Sequence, residues 1–89
     1  MVNKWELAGK VNSSSYRSKI LSKLIETHKT PTRLSKELDI KISHVSRTLT
    51  ELVKLGLVES LTPELRKGKM YRITKLGKEV IKKIKETGS

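Results

Sequence analysis

Apolar residues at helical spacing mark two consecutive stretches in the middle of the chain. In the first, Leu34 and Leu38 are four positions apart and share one side of a helix. In the second, Val45, Leu49 and Leu52 follow the spacing i, i+4 and i+7, which stacks them into one stripe. The pattern therefore predicts two helices in succession, each with one buried side.

The residues around these stretches predict where the helices begin and end. Thr30 can cap the first helix, with Pro31 at its first position, where a missing N–H costs nothing. Asp39 tolerates the left-handed backbone of a tight turn better than most residues do. Gly56 can take a positive φ just after the second helix. Residues 30–55 are therefore expected to form two helices joined by a tight turn.

Two further helices are predicted before this pair. Residues 1–12 suit either an N-terminal arm or a short helix, and the short helix is favoured. Capping candidates over residues 12–15 begin a scaffold helix that runs to about residue 27 or 29. Its apolar face is expected to hold Tyr16, Ile20, Leu21, Leu24 and Ile25, and its solvated side Arg17, Lys19, Lys23 and Lys29.

A β-hairpin is predicted over residues 57–74, with strands near its two ends. Tyr71 and Ile73 alternate with Arg72, so the first two are expected to face the core and the arginine the solvent. A last helix is expected over residues 75–86, because its apolar residues recur at helical spacing.

The last helix has two further local signals, a cap and a glycine. Thr74 can cap its first turn, and Gly77 would let it approach the hairpin closely. On length alone, residues 1–89 are expected to form one domain. The predicted fold class is mainly α with a small β-hairpin: a three-helix core, a two-stranded hairpin and a C-terminal helix.

The charge of the chain indicates its class of partner. Twenty Lys and Arg residues against 9 Asp and Glu give the 89-residue chain a formal net charge of +11. A compact domain this basic attracts polyanions, with nucleic acid the leading candidate and a membrane surface the second. The N-terminal segment lacks the long apolar core of a signal peptide or membrane span, so a cytoplasmic protein is expected.

Catalytic chemistry is not expected. The chain has no cysteine, which excludes disulfides and thiolate metal sites, and its only histidines are His28 and His44. It also lacks a glycine-rich phosphate loop and paired acids in a recognisable motif. Neither an enzyme nor a cofactor is therefore predicted.

The second helix of the central pair, residues 43–55, has small polar and basic residues opposite its apolar stripe. This arrangement matches a helix-turn-helix, whose second helix enters the DNA major groove. Arg47 is the expected base contact, since its guanidinium can donate to guanine O6 and N7 together. His44 could contact DNA or be simply exposed. The predicted DNA contacts are Thr32, Arg33, Lys41, Ser43, His44, Ser46, Arg47, Thr50, Lys54, Arg66, Lys67 and Lys69.

The last three of these contacts surround Gly68 at the hairpin tip. Their composition suits following a phosphate backbone or reaching a minor groove, and the alternative is a solvated tip whose charges discourage edge pairing. Phosphate contact is favoured because the helix pair precedes the hairpin.

The sequence LSKELDIKISHVSRTLTELVKLGLVES resembles the core of winged helix-turn-helix transcription regulators, and KMYRITKLG resembles their second wing strand and following helix. The likeness covers residues 16–84 and is greatest for small archaeal members. Asp39 stands where the family usually has Gly, and Lys41 where a capping Ser is common, which concerns the turn and not the fold. The resemblance implies a winged helix that binds double-stranded DNA as a sequence-specific, nucleoid-associated regulator.

A single recognition helix reads too few base pairs to select a genomic site. A homodimer that reads two half-sites is therefore predicted. Two alternatives stay open: a winged-helix module that docks a protein partner, and a non-specific DNA or RNA binder. The predicted dimer seam uses some of Trp5, Val80, Ile81 and Ile84, because part of the apolar ridge of the last helix must seal the core. The alternative for Trp5 is that it covers an edge of the core.

Overall fold

The computed structural model describes residues 4–61 and 69–88, and the side chains of residues 4–61 and 69–86. Within these ranges the chain forms helices and one antiparallel hairpin. No helix of the described ranges is long and apolar enough to cross a membrane. The elements in order are α1 (Lys4–Asn12), α2 (Ser15–Glu26), α3 (Pro31–Leu38), α4 (Ile42–Lys54), β1 (Val58–Ser60), β2 (Tyr71–Ile73) and α5 (Lys75–Gly88).

Side-chain caps begin three of the helices. The hydroxyls of Ser14, Thr30 and Thr74 each accept the backbone N–H of the residue three positions later, at 3.4, 3.1 and 3.1 Å. Such caps satisfy amides that have no partner within the helix. The predicted caps at Thr30 and Thr74 are confirmed. Helix α4 differs, since Lys41 at its N-cap makes no side-chain capping bond.

Helix α4 ends just before Gly56, as the sequence predicts. Gly56 has φ 79°, the left-handed conformation that costs glycine nothing. The Leu57 N–H donates to the Leu52 carbonyl at 3.0 Å, and the Gly56 N–H donates to the Val53 carbonyl at 3.0 Å. These two bonds form a Schellman motif, which satisfies the last carbonyls of α4 and turns the chain into β1.

The core lies between the five helices and the inner side of the hairpin, and it includes residues predicted for a dimer seam. Val80 and Ile81 are buried in it at 0% and 3% exposure, so the prediction that they form a seam is wrong. They are covered by the chain's own packing, in which α1 lies against α5. Trp5 is 58% exposed and Ile84 is partly buried against the core, so their part in a seam stays a prediction.

Helix α2 has a narrower buried face than predicted. Ile20, Leu21 and Leu24 are buried, whereas Tyr16 and Ile25, at the two ends of the helix, are each 38% exposed. The helix therefore packs through its middle turns.

The expectation that Lys29 is solvated is also wrong. Lys29 is only 8% exposed, and its Nζ lies 3.1 Å from Glu37 Oε1. Its backbone forms a two-way bridge with Tyr71, each N–H donating to the other's carbonyl at 2.9 Å. The backbone pairing places the Lys29 ammonium in a buried position. The ion pair with the Glu37 carboxylate offsets the free-energy cost of burying that charge.

The hairpin pairs β1 and β2 in antiparallel register, with Val58 opposite Ile73. Val58 and Ile73 are buried and Tyr71 packs against the core, while Arg72 is exposed, as the alternation predicts. Arg72 forms a cross-strand ion pair with Glu59. The strands are shorter than the sequence pattern indicates, and their connection at residues 62–68 lies outside the described residues.

Gly77 brings α5 against the hairpin, as predicted. A Cβ placed on Gly77 would lie 2.3 Å from the Leu57 carbonyl oxygen and 2.6 Å from Ile73 Cγ1. Only a residue without a side chain permits this approach. The Thr74 hydroxyl adds a bond of 2.7 Å to the Gly56 carbonyl, which ties the start of α5 to the end of α4.

Candidate nucleic-acid interface

The turn between α3 and α4 fixes the direction in which α4 leaves the motif. Asp39 adopts the left-handed conformation, with φ 54° and ψ 49°, as predicted. The Ile40 N–H donates to the Ser35 carbonyl at 3.1 Å, and the Ser35 hydroxyl donates back to the Ile40 carbonyl at 2.5 Å. Ile40 itself is buried. These reciprocal bonds and the buried side chain hold the two helices at one angle.

Helix α4 is anchored from behind by its apolar stripe. Val45, Leu49 and Leu52 are fully buried, and Thr48 is buried beside them. The opposite side of the helix therefore faces solvent. This outward face consists of Ser43, Ser46, Arg47, Thr50 and Lys54, all of them exposed, with exposed Lys41 just before the helix.

One flank of α4 is bound to α2. The His44 ring lies against the Tyr16 ring, with centroids 5.3 Å apart, and Glu51 forms an ion pair with Arg17. His44 is half-buried by this contact, so it stands apart from the outward face. Neither contact has a signal in the sequence, because both join residues far apart in the chain.

Arg47 keeps its guanidinium available. Glu51 is four residues further along α4 and could pair with it, but the Glu51 carboxylate is held by Arg17 of α2. No ion pair or hydrogen bond joins the Arg47 side chain to any residue that the structure describes. Arg47 is thus an exposed cation, and the acid one turn further along its helix is already paired with Arg17.

Thr50 is part of the outward face but has one hydrogen bond of its own. Its hydroxyl donates to the Ser46 carbonyl at 3.0 Å. The oxygen of Thr50 remains able to accept a hydrogen bond from a ligand.

The start of α3 offers two of the predicted contact residues, Thr32 and Arg33, and both are exposed. Arg33 is engaged, because its Nε donates to Glu37 Oε2 at 2.6 Å. The Arg33 and Lys29 hydrogen bonds, in that order, lower the pKa of the Glu37 carboxyl below its ordinary value. Arg33 is therefore partly neutralised, and Thr32 is the more available of the two.

Of the contacts predicted in the hairpin, the structure describes one, Lys69, which is half-buried beside β2. Arg66 and Lys67, predicted at the wing tip, lie outside the described residues, as does Leu65. The ladder of the hairpin extends one bond towards the tip, with the Leu61 N–H donating to the Met70 carbonyl at 2.8 Å.

The predicted contacts leave out two exposed apolar residues of α4, Ile42 and Val53, and Ile42 is the more exposed of the two. It is the first residue of the helix and is 50% exposed. Its helical spacing relative to Leu49 would place it on the apolar stripe, and only its position at the helix start indicates that it extends beyond the core.

Several solved structures are similar to this fold. A MarR-family transcription regulator has a TM-score of 0.78 and 28% identity over 91% of this chain and 55% of its own. A mutant of MarR from E. coli, complexed with operator DNA, has a TM-score of 0.73 and 25% identity over 93% of this chain and 64% of its own. The adhesin competence repressor of Streptococcus pyogenes has a TM-score of 0.72 and 23% identity over 84% of this chain and 57% of its own.

The chain spans 55% to 64% of the length of these three proteins. No curated protein matches the chain. The narrower likeness to archaeal members stays a prediction.

A family model described as winged helix-turn-helix matches residues 15–89, which is most of the chain, and these residues hold the turn, the outward face of α4 and the hairpin. The chain therefore belongs to the winged helix-turn-helix family.

Proposed function

We propose that the chain is a sequence-specific DNA-binding transcription regulator. Helix α4 enters the major groove with its outward face, and the wing follows phosphates or the neighbouring minor groove. The observation that carries this proposal is the available Arg47 guanidinium on an exposed, polar helix face that is held rigidly from behind. Rigid elements place groups more precisely against base edges than loops do.

The outward face divides into base contacts and phosphate contacts. Arg47 donates to guanine O6 and N7, the pairing that its planar fork fits. Ser43, Ser46 and Thr50 are short enough to bond a base edge or a phosphate. Lys41, just before the helix, and Lys54 at its end neutralise phosphates, which sets affinity and register without naming a sequence.

Two further observations support DNA as the partner. The similar structure of the E. coli MarR mutant is a complex with operator DNA. The net charge of +11 exceeds what solubility requires and favours a polyanion. The chain acts by binding and not as an enzyme, in the cytoplasm and in association with the nucleoid.

The regulator works as a homodimer, because one copy of α4 contacts too few base pairs to specify a genomic site. The exposed Trp5 supports this part of the proposal, since a large aromatic residue at 58% exposure is typical of an interface. Light scattering at tens of micromolar, a concentration suited to a micromolar Kd, should give twice the mass of the chain. A strict monomer at that concentration would contradict the dimer.

Selection of bound duplexes from a random pool tests the proposal most broadly. It should recover one preferred sequence, arranged as two half-sites about one helical turn apart. Recovery of unrelated sequences with a steep salt dependence would indicate non-specific nucleic-acid binding instead. Failure to bind any duplex at low salt would favour a module that docks a protein.

The division of labour is tested by two matched substitutions on the same helix face. Arg47→Ala should weaken binding to the preferred duplex by about 1–3 kcal/mol and flatten its base preference. Lys54→Ala should lower affinity for all duplexes alike and reduce the slope of log K against log salt by about one. If the two variants behave alike, Arg47 contacts phosphate and not a base.

A further inference from the structure

Helix α4 begins with an apolar side chain that the core does not need. Ile42 is 50% exposed, while Val45 and Leu49, on the same side of the helix one and two turns later, are fully buried. The first turn of α4 thus extends beyond the packed interior, and Ile42 presents its hydrocarbon to solvent. The exposed half of the Ile42 side chain contributes no burial energy to the fold.

The surroundings of Ile42 argue against a protein-docking patch. Lys41, Ser43 and Ser46, its neighbours in sequence and one turn along, are all exposed and polar or cationic. A protein-binding surface of the usual kind has contiguous apolar area of several hundred Å². Ile42 is instead a single apolar group within a basic and polar surface, which is the composition of a surface that fits a nucleic acid.

We infer that Ile42 recognises the C5-methyl group of thymine in the major groove. This inference rests on the proposed function, since it requires α4 to lie in that groove. Recognition helices contact base edges with their N-terminal residues, and Ile42 is the first residue of α4. Thymine alone among the four bases presents a methyl group there, and it is contacted by apolar side chains.

The position of Ile42 separates this contact from the one assigned to Arg47. At 100° per residue, Ile42 and Val53 lie on the edge of the outward face nearest the buried stripe, and Arg47 and Lys54 lie on the opposite edge. Helix α4 therefore reads a thymine methyl with one edge of its first turns and a guanine with the other. A half-site should contain both bases at fixed separation.

Deletion of the methyl group from the DNA tests this contact. The probe is the preferred duplex from the random-pool selection, with each dT replaced in turn by deoxyuridine, which removes only the C5-methyl. At one position of a half-site the Kd of the wild-type chain should rise about fourfold, the equivalent of about 0.8 kcal/mol for one buried methyl group. The same duplexes are then titrated with two variants.

In Ile42→Ala, the dT and deoxyuridine duplexes should bind equally, because the apolar partner of the methyl group is gone. Val53→Ala is the matched control: Val53 is the other exposed apolar residue of α4, at 40%, and it lies three turns from the helix start. It should keep the fourfold difference. Ile42 is outside the core, so the thermal unfolding of Ile42→Ala should match that of wild type.

Each outcome of the titrations decides the inference. A preferred duplex that tolerates deoxyuridine at every position, or an Ile42→Ala variant that keeps the fourfold difference, overturns the thymine contact and leaves the proposed function intact. If no preferred duplex is recovered, the proposed function fails and the thymine contact fails with it.

Discussion

Gly77→Ala should destabilise the chain although alanine is the better helix former. The added Cβ would lie 2.3 Å from the Leu57 carbonyl oxygen and 2.6 Å from Ile73 Cγ1, well short of the 3.4 Å at which ordinary contact begins. The first of these atoms belongs to the backbone and cannot rotate away. The Leu57 carbonyl also accepts the Thr74 N–H at 2.9 Å, so moving it disturbs the junction of α4, the hairpin and α5.

The size of the effect follows from two opposing contributions. Replacement of glycine by alanine within a helix is worth about 0.5–1 kcal/mol in favour of the variant. Overpacking of a filled site costs about 1–3 kcal/mol, and contact with backbone puts Gly77→Ala at the upper end. The expected net loss in the free energy of unfolding is about 2 kcal/mol, equivalent to a fall in Tm of roughly 10 °C.

Urea denaturation of Gly77→Ala and of a matched variant, Gly9→Ala, measures this directly. Gly9 is exposed within α1, and a Cβ there would meet no atom within 4 Å. Gly9→Ala should therefore raise the free energy of unfolding by about 0.5–1 kcal/mol, with an unchanged m-value. If Gly77→Ala were as stable as Gly9→Ala, the close packing of α5 on the hairpin would be refuted.

Two further substitutions test local features of the helix pair. Asp39→Gly should raise the free energy of unfolding by about 0.5 kcal/mol in urea denaturation, because glycine adopts the φ of 54° without strain but loses more backbone freedom on folding. A clear loss of stability would contradict the left-handed turn. Glu37→Gln should destabilise the chain at neutral pH, and this difference should vanish in acid. The Arg33 and Lys29 hydrogen bonds lower the pKa of Glu37 in the folded chain below its ordinary value of 4.5. The ionised carboxylate therefore stabilises the fold fully at a pH above 4.5, and this contribution is lost as the pH falls through the folded pKa. A difference between the two proteins that persists unchanged at low pH would exclude this ion-pair cluster.

The turns and caps could be predicted from the sequence because their chemistry is local. Thr30 caps an amide three residues away, and Gly56 and Asp39 take backbone conformations that few other residues adopt without cost. Gly77 was predictable for a related reason, since a glycine early in an amphipathic helix indicates a close neighbour. For the caps and turns the signal and its structural effect lie within a few residues. Gly77 indicates only that a neighbour is close, and the structure identifies that neighbour as the Leu57 carbonyl, twenty positions earlier.

Contacts between distant segments could not be predicted in the same way. The positive charge of Lys29 gives no sign of its pairing with Glu37, which depends on how α3 packs beside the end of α2. Val80 and Ile81 form an apolar ridge that could equally seal a core or a dimer seam, and the position of α1 decides for the core.

The same limit applies to the candidate site. Helical spacing places Arg47 on the outward face of α4, but whether Arg47 is neutralised depends on Glu51. The Glu51 carboxylate is drawn to Arg17 of α2, and no pattern along the chain indicates that pairing. The structure thus shows what the sequence does not: Glu51 pairs with Arg17, which leaves the Arg47 guanidinium available to a partner outside the chain.

A carboxylate placed on the outward face of α4 tests the central claim most directly. Ser46→Glu adds a negative charge at an exposed position of α4, where it should leave the fold intact; Ser22→Glu makes the same change at an exposed position of α2. The measurement is the Kd for the preferred duplex at one fixed salt concentration. Ser46→Glu should weaken binding about tenfold or more, because like charges brought together at an interface cost several kcal/mol, while Ser22→Glu should bind nearly as wild type does. Equal affinities for the two variants would show that DNA does not lie against α4.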